Sequence, residues 1–223
     1  MQKFATATQI TAAIAIPAGR VQLIAADRTD TTVEIRPADA GKSRDVKTAE
    51  QTTAVYDAAA GVLRIESPAP KSGLLGGQGS VEVTVQLPAG SHVKAKAGAA
   101  EFRGVGLFGD VSLEGGYREV KLDEAASAQL AAHDGDIVVG RLTGPAELST
   151  QRGAIRVAEA VRGALTLTTQ QGDIEVAVTN GASASLDAGT SYGRVSNSLK
   201  NDGTSTVTIT ATTSQGDITA RSL

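Results

Sequence analysis

The residues best placed to do chemistry form a column of acids at near-constant spacing. Glu101, Glu119, Asp136, Asp173 and Asp217 each precede an aliphatic or aromatic residue, and all but Glu119, which follows Arg118, come after a small one. Ala154 and Arg194 hold the same place in two further copies of the phrase. If these copies stack as β-strands, the carboxylates lie about 4.8 Å apart. Oxygen ligands at that distance can hold Ca²⁺, with Glu119, Asp136, Asp173 and Asp217 as the candidate metal ligands. They can also serve as the paired acids of a carbohydrate-active β-helix enzyme. Ala154 and Arg194 interrupt the ladder, and Arg103, Lys121 and Arg156 stand two residues along on the same outward face. Arg156 can lie between Asp136 and Asp173 and neutralise both. A solvated ion-pair ladder, in which each pair contributes little, accounts for the column without a metal, a cofactor or a catalytic role.

Three other patterns resemble chemical motifs and read better as structure. Gly104-Val105-Gly106-Leu107-Phe108-Gly109 has dinucleotide-fingerprint spacing, but strand-like Asp110 to Leu113 follows where a helix is required. Gly189-Thr190-Ser191-Tyr192-Gly193 has the spacing of a nucleophile elbow, again with no helical pattern after it. The two histidines, His92 and His133, both precede Ser191 and sit beside turn residues, so each reads as an exposed corner residue. Thr166 to Thr169 and Thr204 to Thr213 are Thr-rich, which strand propensity explains. Regular ice-binding ladders are not kept, because the matching outward positions include Gln129, Glu147 and Ser185.

The elements that position these residues follow from the repeat. The phrase recurs from Ala100, Arg118, Gly135, Gly153, Gly172, Gly193 and Gly216, at steps of 18, 17, 18, 19, 21 and 23 residues. A second turn column, Gly109, Ser127, Gly144, Gly163, Gly181 and Gly203, divides each repeat into two segments. Between corners, apolar residues alternate with polar ones, as in Ile137 and Val139, Ile155 and Val157, or Leu165 and Leu167. Alternation sends them to one face of a strand. A fixed period with aligned columns predicts a stacked repeat rather than a sandwich. The expected fold is all-β: a right-handed parallel β-solenoid of about 18–23 residues and two main strands per coil.

The solenoid is expected over residues 79–223, with 1–78 as a less regular β cap or meander, the two forming one continuous domain. Loops are expected at 40–51 and 69–79, with Leu74-Leu75 tucked over the end of the core. Tyr56 to Leu63 reads as a hairpin, and the similar phrases ending in Pro17-Ala18-Gly19 and Pro88-Ala89-Gly90 as one corner used twice. The last coil, from about Val207 to Thr219, is expected to leave an open edge that a partner or second copy engages.

Composition narrows the function classes. A net charge of −3 with mixed signs and 3% aromatic residues argue against a nucleic-acid surface. No cysteine is present, so disulfides and thiolate metal sites are excluded. No run approaches the roughly 20 apolar residues of a membrane span. The N-terminus is a poor signal peptide, and the default expectation is cytoplasmic residence.

Three stretches carry a family resemblance: Ile16-Pro17-Ala18-Gly19-Arg20-Val21, Ala184 to Gly193, and Thr212-Thr213-Ser214-Gln215-Gly216-Asp217-Ile218. With the recurring Gly-Asp-Ile phrase, they resemble a bacterial β-strand-repeat family, the domain of unknown function 4097, often labelled adhesin-like. The resemblance implies a solenoid-like fold and brings no catalytic residues with it. The expected function is a non-enzymatic binding or assembly module for an unidentified protein or polymer, with a weak homodimer through the last coil. The alternatives are the carbohydrate-active enzyme and a self-assembling cytoplasmic scaffold.

Overall fold

Alternating strands whose inward residues are aliphatic need a second strand layer to cover them, and the chain provides one by turning back after each strand. A computed structural model describes residues 1–68 and 79–223. It contains β1 (Gln2–Ala5), β2 (Thr11–Ala26), β3 (Asp30–Pro37), α1 (Ser43–Gln51), β4 (Thr53–Asp57), β5 (Val62–Glu66), β6 (Val81–Pro88) and β7 (His92–Leu142). Then follow β8 (Ala146–Arg152), β9 (Ile155–Ala160), β10 (Gly163–Gln171), β11 (Ile174–Val178), β12 (Ala184–Tyr192), β13 (Val195–Ser198), β14 (Val207–Gln215) and β15 (Ile218–Ser222). Among the described residues the protein is all-β apart from α1.

The strands build two parallel ladders joined by the long β2 and β7. One runs β5, the first half of β2, β7, β8, β10, β14, β12. The other runs β6, the second half of β2, β7, β9, β11, β15, β13. β7 bonds to the turn before it, Gly109 N–H donating to Ser91 O at 3.0 Å and Gly90 N–H to Leu107 O at 2.8 Å, and stacks on itself where Gly115 rests on the Ala97 carbonyl. Inward columns fill the space between ladders. Leu130, Leu148 and Leu167 stand in one register row and Ile137, Ile155, Ile174 and Ile218 in another, all buried.

At both ends the spatial order of coils departs from their order in the chain. β14 pairs with β10 on one side and β12 on the other, and β15 lies between β11 and β13. The segment from Val207 to Thr219 is therefore enclosed, which corrects the expectation of an open edge there. The exposed end coil is β12–β13, laid down earlier in the chain. The reason lies in the inward positions of β13. Asn197 occupies the row that holds Val139, Val157, Val176 and Ala220 elsewhere. A side-chain amide there is costly to bury without partners, so this coil belongs outermost. The same insertion shifts the expected columns: Ala184 and Val207 align with Gly163, and Leu186 and Ile209 with Leu165.

At the opposite end β5 and β6 flank β2, while β7 takes its other side. The parallel ladder thus crosses residue 78 and includes β2. Antiparallel strands cover this end, β4 on β5 and β3 then β1 beyond β6. The hairpin expected at Tyr56 to Leu63 is present, with Tyr56 opposite Leu63 and Asp57 accepting N–H bonds from Ala59 and Ala60. The loop expected at 40–51 is a helix over most of its length, α1. Asp45 on α1 accepts the Ser80 N–H at 2.9 Å, which fixes the helix against the start of β6. The two Pro-Ala-Gly phrases turn different corners: Gly19 lies within β2, whereas Gly90 leads into β7. Most of the loop expected at 69–79, with Leu74-Leu75, lies outside the described residues.

Leu148 and Leu167 are direct ladder partners with no exposed surface. Truncating either to Ala is expected to cost about 2–5 kcal/mol, whereas Ser149→Ala costs under about 0.5 kcal/mol. Urea unfolding measures both, and equal losses at inward and outward positions contradict the register.

Candidate functional site

The corner between the two ladders concentrates the recurring polar residues. Five coils place glycine there, Gly135, Gly153, Gly172, Gly216 and Gly193, with φ of 133°, 141°, 150°, 147° and 158°. A Cβ at Gly172 would run into the Gly153 carbonyl, and one at Gly216 into that of Gly172. Only glycine permits both this backbone angle and so close an approach. In four of these coils, all but that of Gly135, the hydroxyl of a threonine three residues earlier uses the carbonyl of the neighbouring coil. Thr150 donates to Gly135 O at 3.1 Å, and Thr169, Thr213 and Thr190 donate to Gly153, Gly172 and Gly216 O at 3.0 Å each. Thr150, Thr169 and Thr213 are buried.

The acidic column binds the same corner from outside. Asp136 Oδ1 accepts the Ala154 N–H at 2.8 Å, Asp173 Oδ1 the Asp217 N–H at 2.8 Å, and Asp217 Oδ1 the Arg194 N–H at 2.9 Å. Each aspartate thus caps an N–H of the next coil in space. Asp217 also reaches Arg194 Nη2 at 3.1 Å. The Arg194 N–H and then its side chain hold the Asp217 carboxyl below its ordinary pKa. Glu101 pairs instead with Arg20 at 3.3 Å, and Glu119 is exposed with no polar partner among the described residues. Arg156 pairs with Glu175 at 3.6 Å, which corrects its expected place between Asp136 and Asp173. Among the described residues no three His, Asp or Glu side chains converge as a metal-holding group.

The other motifs fall on strands. The glycines from 104 to 109 lie within β7, and Gly189 to Tyr192 within β12. Gly104 is packed closely, since a Cβ there would meet the tip of Leu122 and the Phe108 ring. His133 is exposed. His92 Nδ1 accepts the Asp110 N–H at 2.9 Å, while Ser127 Oγ donates to Asp110 Oδ1 at 2.6 Å. The carboxylate stands between serine and imidazole, so the histidine cannot take the serine proton as a nucleophilic relay requires.

The end coil is the remaining candidate. Tyr192 is 76% exposed and Val195 46% exposed, and Leu186, Ala188 and Leu199 close the core only partly. Along β12, backbone groups directed away from β14 face outward, and the Ala184 N–H is taken by the Lys200 carbonyl at 2.9 Å. Sequence reasoning missed the threonine hydroxyls and the end coil. The Thr-x-x-Gly spacing was the available signal for the first and Asn197 for the second.

Because the Asp217 pKa is lowered by folding, its stabilisation is present above the ordinary carboxylate value, about 3.9, and is lost as pH falls through the lower folded value. Asp217→Ala is expected to lower the Tm at pH 7 and to converge with wild type in acid. Thermal melts from pH 7 to 2 check this, and a constant difference across that range contradicts the role given to the carboxylate.

The sequence profile of the Toastrack DUF4097 family matches residues 11–221. No curated protein matches the sequence. A solved structure from Bacteroides fragilis NCTC 9343, described as a candidate adhesin, is similar with a TM-score of 0.54 at 15% identity, covering 98% of this chain and 95% of that one. A candidate adhesin from Parabacteroides distasonis ATCC 8503 gives a TM-score of 0.42 at 13% identity, over 98% of this chain and 95% of that one. At such identities the Bacteroides likeness is one of fold alone. The profile match runs from the start of β2 into β15, across both ladders, and the chain belongs to the Toastrack DUF4097 family.

Proposed function

We propose that the chain is a non-enzymatic binding or assembly module, built as one continuous domain around a right-handed parallel β-solenoid with two main strands per coil. Right-handed winding is the general preference of parallel crossovers. The ladder between β2 and β7 supports the single domain. The carboxylates favour this reading over a carbohydrate-cleaving one, since Asp136, Asp173 and Asp217 already accept backbone N–H bonds across the corner.

The observation that carries the proposal is the uncovered end coil. An exposed strand edge accepts another strand unless charge, proline or a covering segment blocks it. β12 and β13 each have one strand neighbour, and Tyr192 and Val195 lie beside that edge. The occupant is a segment of a protein or polymer partner, or a second copy meeting head to head through the same patch. Asp187 and Arg194 place charge at this edge, which keeps self-pairing weak and reversible. The candidate-adhesin description of the Bacteroides neighbour is in keeping with a binding role. Among the described residues no helix is long and apolar enough to cross a membrane. Cell fractionation separates cytoplasmic assembly from binding at a surface.

Light scattering across a concentration series tests self-pairing. The wild type is expected to form a reversible dimer, and a Tyr192→Lys/Val195→Lys double variant to stay monomeric with its Tm unchanged. A wild type that is strictly monomeric at high concentration overturns the homodimer.

For the acidic column we propose a structural role for Asp136, Asp173 and Asp217 and a solvated one for Glu119. Chelator is then expected to leave the Tm unchanged, because no ion bound to the native state is removed. A rise of several degrees on adding millimolar Ca²⁺ contradicts this.

A further inference from the structure

Near the covered end, the corner column passes from glycine to Arg118 and Ala100, and Arg118 is the one of these two that keeps a positive φ. Gly135 stacks directly on Arg118, since a Cβ at Gly135 would strike the Arg118 carbonyl. Arg118 thus occupies the place that glycine holds in the five coils beyond it, with φ of 73°. Among the described residues it is the one non-glycine with positive φ. A long side chain in the left-handed region is strained, and such strain persists where something else selects for it.

What the strain achieves is visible in the surroundings. Consecutive strand residues point to opposite faces. Here Tyr117 and Arg118 line the same groove, of about 570 Å³, between the corner and the segment that leads into α1. The left-handed backbone at Arg118 accompanies a break in the alternation: Tyr117, Arg118 and Glu119 are all exposed between buried Gly116 and Val120. Tyr117 is 44% exposed, in a chain with three tyrosines and three phenylalanines.

Three cations, Arg20, Lys42 and Arg118, and four carboxylates, Asp39, Asp45, Glu82 and Glu101, line the groove. Arg20 lies 3.3 Å from Glu101 and 4.0 Å from Glu82, and Lys42 lies 3.3 Å from Asp39. Asp45 is buried and accepts the Ser80 N–H. Arg118 has no hydrogen-bond or ion-pair partner among the described residues. A guanidinium without a carboxylate, beside an exposed aromatic face and amid fixed acceptor oxygens, has the chemistry to recognise a carboxylated sugar. The guanidinium takes the carboxylate in two parallel N–H bonds. The tyrosine ring covers the apolar face of the sugar ring. The oxygens of Glu101 and Asp39, held by their cationic partners, accept its hydroxyl protons.

We propose that this groove is a binding site for an acidic saccharide, with Arg118 and Tyr117 as its recognition pair. It is distinct from the β12–β13 edge, so either site can fail a test without the other. The experiment is a calorimetric titration of the full chain with a short oligogalacturonate as probe. A neutral glucose oligomer and an oligoglutamate peptide of similar length serve as comparison ligands. Saturable binding of the uronate alone is expected. Arg118→Gly and Tyr117→Ala are each expected to weaken it by about tenfold or more, as loss of a charge-assisted pair or a stacking surface does. Arg103→Ala, an exposed arginine that does not line the groove, is expected to leave it unchanged. Arg118→Gly also carries a readout that a purely structural arginine would not give: its Tm is expected to equal or exceed that of wild type, because glycine removes the strain. The proposal is overturned by absence of uronate binding, by equal binding of the neutral oligomer or the peptide, by unchanged binding in Arg118→Gly, or by a lower Tm in that variant.

Discussion

Close backbone approach at one corner is the constraint on which the rest of this molecule depends. Each coil must come near enough for a glycine to rest on the carbonyl of the coil below, closer than any Cβ permits. The turn interrupts regular ladder bonding, and carbonyls and N–H groups that the strands cannot pair must find other partners. Threonine hydroxyls inside and aspartate carboxylates outside supply them. The Thr-x-x-Gly-Asp-Ile phrase is thus one unit with a division of labour. Thr and Asp satisfy the corner, Gly permits it, and Ile returns the chain to the core.

This division explains why a regular column of acids does not amount to an ion site. A carboxylate bonded to an N–H of its neighbour has its orientation set by the backbone rather than by a shared centre. Calcium sites gather oxygens from several directions around one point. Here Asp136, Asp173 and Asp217 each turn toward the next coil, and Arg156 pairs with Glu175 on the ladder beyond the corner. Arg118 departs from the phrase in the same column and gives the most distinctive chemistry on the surface. Regularity marks the structural residues, and the exceptions mark where binding chemistry can be sought.

Much of this architecture is legible in the sequence because the physics involved is local and periodic. Alternation placed Leu148 and Leu167 on the inner face, and fixed spacing brought them into one row. The Tyr56 to Leu63 hairpin carried its own turn chemistry in Asp57 and Gly61. What escaped was non-local. Periodicity says that coils stack, but it is silent on which neighbour each one takes, so the enclosed position of β14 and β15 was missed. Asn197 held that information as a single polar residue in an aliphatic row. Helix α1 escaped for a different reason: it is short and polar, and its place depends on the distant bond from Asp45 to Ser80. The left-handed backbone of Arg118 has no signature in a residue type that rarely adopts it.

The inserted coil also governs the order in which the molecule can be assembled. A simple solenoid can grow like a zipper, each new coil docking on the one before it. Here the edge of β10–β11 must remain vacant while β12 and β13 pass by, and it is filled by β14 and β15. Until that happens, β12 and β13 have nothing native to rest on. The vacant edge meanwhile faces two competitors of similar length, and premature docking of β13 would leave Asn197 beneath a further layer. Closing a native contact across the intervening coil costs loop entropy before the ladder returns any of it. Completion of this end therefore waits on an intercalation step, and the β12–β13 layer docks only on β14 and β15 already in place.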